Sequence, residues 1–119
     1  MRVVIAGSRH YTDVKLIEEA VRESGFLISE VVSGCARGID TLAIEWAETN
    51  NIPVKRFPAD ANFALDGKLG GFARNGEMAA YADALIAIWD GVSPGTNNMI
   101  GQAKAAKIPY FLSVIAPPW

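Results

Sequence analysis

The stretch EVVSGCARGIDTLAIEWA, residues 30–47, decides the fold. It opens on the β-branched pair Val31 and Val32 and breaks at Ser33-Gly34. From Ile39 onward, Leu42, Ala43, Trp46 and Ala47 return at the i, i+3, i+4, i+7, i+8 spacing of one helix face. A short apolar run, a glycine turn and an amphipathic helix in that order predict a strand that feeds directly into a helix. The turn between them, with Arg37 set between Ala36 and Gly38, is either a plain connection or a pocket for an anion.

Four further apolar runs have the same character: VVIAG (3–7), VKRF (54–57), ALIAIWDG (84–91) and YFLSVI (110–115). They are continuous rather than alternating, which suits strands buried on both faces. Helical patterns lie between them. Asp13 to Glu23 gathers Ile17, Ala20 and Val21 on one face, and Thr96 to Lys107 turns Met99, Ile100 and Ala103 inward. Leu69 to Tyr81 is weaker, broken by Gly71 and Gly76. Pro53 and Pro109 each stand just before a strand, where a helix must already have ended. Strand and helix alternate throughout, so the expected fold is α/β: a three-layer Rossmann-like parallel sheet of five strands in the order 3-2-1-4-5. That order reverses direction between strands 1 and 4, where such sheets bind ligands. No linker or repeat interrupts residues 1–119, which are read as one domain. The long irregular stretch PADANFALDGKLGG (58–71) has the length of a functional or mobile loop.

Composition narrows the classes. Half of the residues are hydrophobic and 20% are charged, the balance of a globular chain rather than a disordered one. The net charge of −2 gives no broad footprint for nucleic acid. One cysteine and one histidine cannot make an internal disulfide or a Cys/His zinc set. No apolar run approaches the about 18 residues that span a bilayer. The chain opens on the strand RVVIAG rather than on a signal peptide, so a cytoplasmic protein is expected.

Three strand ends share one signature: GSRHYTD after the first, SGCARGID after the second and DGVSPGT after the fourth. In a parallel sheet all three fall on the carboxyl edge. Glycine allows close backbone approach, and the helix that follows presents unpaired N–H groups and a positive dipole end. Such turns hold anions, phosphate above all. The candidate ligand residues are therefore Gly7, Ser8 and Arg9 in the first loop, Ser33, Gly34, Cys35, Arg37, Gly38 and Asp40 in the second, and Asp90, Ser93, Gly95 and Thr96 in the third. Each has a bland reading as well. Arg9 is a phosphate clamp or a surface charge, and Arg37 meets a ligand or pairs with Asp40. Asp40 caps or lines the helix start, and Thr96 is an N-cap, a phosphate ligand or both. Cys35 sits near a helix start, which would lower its thiol pKa, yet it also serves as a small filler. Trp89 is core or stacks on a base, and His10 is given no chemistry. Neither G-x-x-x-x-G-K-[ST] nor G-x-G-x-x-G is present, which disfavours a Walker-type ATPase and a plain NAD dehydrogenase.

The ordered set GSR, VSGCARGID, PAD, RNGEM and DGVSPGTNNMI resembles the YspA-like (YpsA-related) branch of the SLOG superfamily over residues 2–115. SGCARGID is also similar to a segment of the DprA proteins, and RNGEM followed by PGT to segments of the LOG phosphoribohydrolases. The resemblance implies a SLOG-type domain binding a nucleotide or nucleotide-derived ligand, ADP-ribose-like compounds included, and it adds Arg74 and Asn75 to the site. From the LOG pattern, Arg74 would lie near the ribose–base bond. The same pattern has a glutamate where this chain has Met99. A thioether is neither a base nor a stabiliser of a ribosyl cation, which argues against hydrolysis by that route. Glu77 and Asp60 are the carboxylates left to substitute. Cys35 stands where the family has glycine, and Ala61 where tryptophan often follows PAD.

Three functions compete. The first is binding of a nucleotide-derived ligand as a sensor, carrier or sequestering protein, with no required cofactor and no metal. The second is a nucleoside-monophosphate phosphoribohydrolase built around Arg74. The third is a DprA-like single-stranded DNA binder, disfavoured by the net negative charge. The expected partner is a small molecule, with no membrane and no nucleic acid. Self-association into a homo-oligomer is expected from the domain type and the apolar tail VIAPPW.

Overall fold

The structure is a computed structural model and describes residues 1–58 and 68–116, the side chains of 68–70 excepted. The expectations placed on 59–67 and 117–119, among them Asp60, Ala61 and Trp119, lie outside the described residues.

The chain runs β1 (Arg2–Gly7), α1 (Lys15–Ser24), β2 (Glu30–Ser33), α2 (Ile39–Thr49), β3 (Val54–Arg56), α3 (Lys68–Tyr81), β4 (Ala84–Trp89), α4 (Pro94–Ala105), β5 (Tyr110–Val114). All strand pairs are parallel, and the sheet order is β3-β2-β1-β4-β5, as expected. Alternate residues of each central strand feed opposite faces, which is why the apolar runs read as continuous. Val3, Ile5, Val31, Ile86 and Ile88 pack with Ile17, Ile39 and Ala43 of α1 and α2. Val4, Ala6, Val32, Leu85 and Ala87 pack with Met78, Met99 and Ile100 of α3 and α4. Trp89 is half-buried against this second cluster, and its indole N–H donates to Ser93 O at 3.0 Å, so it is a packing residue.

Gly71 and Gly76 do not break α3. A side chain at Gly76 would meet Gln102 of α4 at 3.6 Å, so this glycine lies where the two helices approach. The helix propensity lost there is about 1 kcal/mol, which helix packing readily offsets. The last helix begins earlier than its periodicity predicts. Its N-cap is Ser93, Pro94 occupies the first turn, and Thr96 lies inside the helix rather than capping it. The Ser-Pro pair is the ordinary helix-start signal.

Candidate functional site

β1 and β4 are neighbours whose outgoing connections run to opposite faces of the sheet, so the loops after them splay apart at the carboxyl edge. A cleft of about 410 Å³ opens there, a size suited to a small-molecule ligand. Gly7, Ser8, Arg9 and His10 form one wall, Ala36 and Asp40 the floor towards β2, and Phe72, Arg74, Asn75 and Met78 of α3 the opposite side. Ser93, Pro94, Gly95, Thr96 and Met99 close the end at the start of α4.

The walls are tied together by their own backbone. Ser8 N–H donates to Ile88 O at 3.1 Å, Ile39 N–H donates to Ser8 O at 3.4 Å, and Asp90 N–H donates to Ser8 Oγ at 3.1 Å. Gly38 has φ 75°, and a Cβ there would lie 2.7 Å from Arg9 Cα and collide with Ser8 O. Glycine is needed at this position because the first loop lies directly on the start of α2.

Asp40 projects from the first turn of α2 but caps no helix. Its Oδ2 instead accepts the Ala36 N–H at 3.3 Å, outside the helix. Burial pushes its carboxyl up from 3.8 to about 6, against the opposing pull of the Ala36 N–H, Arg74, the Gly7 backbone and Arg9. Arg74 reaches across from α3. Its Nη1 donates to Gly34 O at 2.9 Å and its Nη2 to Asn75 Oδ1 at 3.5 Å, while its Nε is buried with no hydrogen-bond partner. Gly34 sits between the two charges: a Cβ there would stand 2.8 Å from Arg74 Cζ and 2.9 Å from Asp40 Oδ2. This glycine therefore provides space rather than unusual backbone geometry. Asn75, itself buried, donates from Nδ2 to Gly95 O at 3.2 Å and to Asn98 Oδ1 at 3.1 Å, joining α3 to the start of α4.

At that helix start the Ser93 hydroxyl caps nothing and turns back to Asp90 Oδ2 at 2.6 Å. Burial opposes the Asp90 charge, but the Ser93 hydroxyl and the N–H groups of Val92 and Ser93 outweigh it and hold the carboxyl down at about 2. The first turn of α4 thus lines the cleft without a side-chain cap. A helix start in this condition, beside Arg74 and Arg9, can receive an anion.

Of the fifteen residues singled out from the sequence, Gly7, Ser8, Arg9, Asp40, Arg74, Asn75, Ser93, Gly95 and Thr96 converge on the cleft. Ser33, Gly34, Cys35, Gly38 and Asp90 stand behind its walls as supports. Arg37 is exposed and outside the wall, and among the described residues it forms no ion pair with Asp40. Cys35 takes φ 65° in the turn, three residues ahead of the Gly38 cap. Burial is the largest influence on its thiol and pushes it up, contrary to the lowering expected from a helix start. Sequence reading missed His10, Phe72 and Met78 as wall residues. Met78 stands four positions after Arg74 on the same helix face, and that spacing was the available signal. Met99 is buried and reaches the cleft, while Glu77 is exposed and does not line it.

Residues 1–62, which carry β1, β2, the ARGID turn and α2, match the profile of the YspA, cpYpsA-related SLOG family. The chain belongs to that family. This SLOG chain has no match among curated proteins. Among solved structures it is similar to DNA processing protein A (DprA) from Streptococcus pneumoniae, with a TM-score of 0.70 and 20% sequence identity over 93% of this chain and 49% of that one. The SLOG chain thus spans about half the length of that protein, and the likeness is one of fold. No helix among the described residues is long and apolar enough to cross a membrane, and no group of three or more His, Cys, Asp or Glu among them could hold a metal ion.

Proposed function

We propose that the cleft binds a nucleotide or nucleotide-derived ligand through its phosphate, and that the protein senses, carries or sequesters that ligand. The observation that carries this reading is the start of α4, without a side-chain cap, lining the same cleft as the cations Arg74 and Arg9. A phosphate there would meet backbone N–H donors at a positive dipole end together with guanidinium charge, the strong combination for an anion. The amides of Gly95 and Thr96 and the charge of Arg9 add to the same anion, while Phe72, Met78 and Met99 supply apolar surface for a base or sugar. The hydrolase reading is weaker, because a thioether occupies the glutamate position of the LOG pattern and Glu77 is exposed and does not line the cleft. DNA binding is opposed by the net charge of −2.

Calorimetric titration with nucleoside monophosphates, ADP-ribose and cyclic nucleotides tests the reading. Saturable binding to at least one, weakened about tenfold or more by Arg74→Ala, is expected. No binding to any of them by the folded protein overturns it. Release of free base from a monophosphate, abolished by the same substitution, would establish the hydrolase instead.

A further inference from the structure

We propose that Asn75 is a positioning residue for the bound anion: it fixes the Gly95–Thr96 peptide and thereby aims the Thr96 N–H at the phosphate. The inference rests on the phosphate reading above. Asn75 lies on α3 and is only 3% exposed, and the protein itself engages its side-chain amide. Nδ2 donates one N–H to Gly95 O at 3.2 Å and the other to Asn98 Oδ1 at 3.1 Å, while Oδ1 accepts from Arg74 Nη2 at 3.5 Å. A backbone carbonyl can only accept, so the end of the amide that meets Gly95 O is the nitrogen. Both N–H groups are therefore used, and what is left is an acceptor oxygen that a phosphate oxygen would repel. Asn75 lines the cleft with no donor to give the ligand.

Its effect is passed on by the backbone. Gly95 O and the Thr96 N–H belong to one peptide unit, planar and trans, so a hydrogen bond to the oxygen fixes the direction of the N–H on the opposite side. The same bond polarises the unit and strengthens its N–H as a donor. The Thr96 N–H is one of those a helix leaves unpaired: the bond entering α4 from Ser93 O begins one residue later, at the Asn97 N–H, at 3.1 Å. Gly95 is exposed, and a Cβ there would meet nothing within 4 Å. Glycine in open space does little to hold the peptide that follows it, so the hold has to come from outside. α3 comes close enough to supply it because the next residue, Gly76, has no side chain. A Cβ there would already meet Gln102 Oε1 at 3.6 Å, and Gln102 stands four residues after Asn98 on the same face of α4. With Arg74 on its other side, Asn75 sits between the guanidinium and the helix amide that the phosphate is to bridge.

Titration of the isotope-labelled protein with inorganic phosphate and with a nucleoside monophosphate, followed at the backbone amides by NMR, tests the inference. In Asn75→Ala the Thr96 amide proton is expected to move upfield before any anion is added, and both anions should bind about fivefold more weakly or worse. Asn98→Ala removes the other acceptor but spares the bond to Gly95 O, and it should weaken binding less than Asn75→Ala. A side chain that merely held α3 against α4 would weaken binding equally in the two variants and leave the Thr96 amide of the free protein where it was. Should Asn75→Ala fail to fold, Asn75→Ser gives the same readings, because its hydroxyl is too short to reach Gly95 O. An unmoved Thr96 amide, unchanged affinity in the folded variant, or an equal loss from Asn98→Ala overturns this inference and leaves the ligand reading standing. Failure of the natural protein to bind either anion overturns the ligand reading, and this inference with it.

Discussion

Replacing Asp40 with Asn is expected to stabilise the protein at neutral pH and to do nothing in acid. Asp40 is only 5% exposed, and burial raises its carboxyl from 3.8 to about 6. Ionising it in the folded protein therefore costs about 3 kcal/mol more than in the unfolded chain, at about 1.4 kcal/mol for each pH unit. Below about pH 4 both states hold the proton and the cost is absent. Between about pH 4 and 6 the unfolded chain releases the proton first, so stability falls as pH rises. Above about pH 6 the full cost is present. Asn keeps the size of the side chain and an oxygen to accept the Ala36 N–H, and it never ionises. Urea denaturation of both proteins from about pH 4 to about pH 8 should give curves that meet in acid and separate to about 3 kcal/mol in favour of Asp40→Asn. Other titrating groups cancel in the difference. If the variant is the less stable one at about pH 8, Arg74 and Arg9 favour the carboxylate by more than burial disfavours it, and the reasoning is refuted.

The same titration should reach the cleft: affinity for an anionic nucleotide rises as pH falls through about 6 in the natural protein, and this component vanishes in Asp40→Asn, which calorimetry at several pH values would show. Gly34→Ala places a methyl 2.8 Å from Arg74 Cζ and 2.9 Å from Asp40 Oδ2. Both neighbours are side-chain ends that can yield, so the chain should fold with a loss of about 1–2 kcal/mol in urea unfolding, while nucleotide affinity falls about tenfold as Arg74 is displaced. Gly38→Ala meets the Arg9 backbone at 2.7 Å at a φ of 75°, and backbone cannot yield as a side chain can. Its loss in thermal or urea unfolding should exceed that of Gly34→Ala, at about 3 kcal/mol or more.

The sheet and its strand order were legible because Val3–Gly7, Glu30–Ser33 and Ala84–Trp89 lie between two helical layers, and burial on both faces leaves an unbroken apolar run. The glycine-bearing strand ends marked the carboxyl edge for the same reason: each sits where β1, β2 or β4 must turn sharply into a helix. Side-chain direction was less legible. Arg37 looked like the charged wall of the second loop, but left-handed backbone at Cys35 and Gly38 shapes the turn, and Arg37 is left in solvent. The charge meeting Asp40 comes instead from Arg74, 34 positions later by residue number. Nothing in local periodicity reports that α3 crosses to Gly34, since that contact depends on tertiary packing. The position of Met78 was readable once Arg74 was placed, whereas Phe72 and His10 depend on how the helix and loop are oriented over the sheet.

A crystal structure with a nucleoside monophosphate at saturating concentration tests the ligand site most directly. The phosphate is expected in the cleft between β1 and β4, within hydrogen-bonding distance of the Gly95 and Thr96 amides and of the Arg74 guanidinium. A nucleotide held on another surface, or a cleft without density while the folded protein is exposed to saturating nucleotide, would contradict the account.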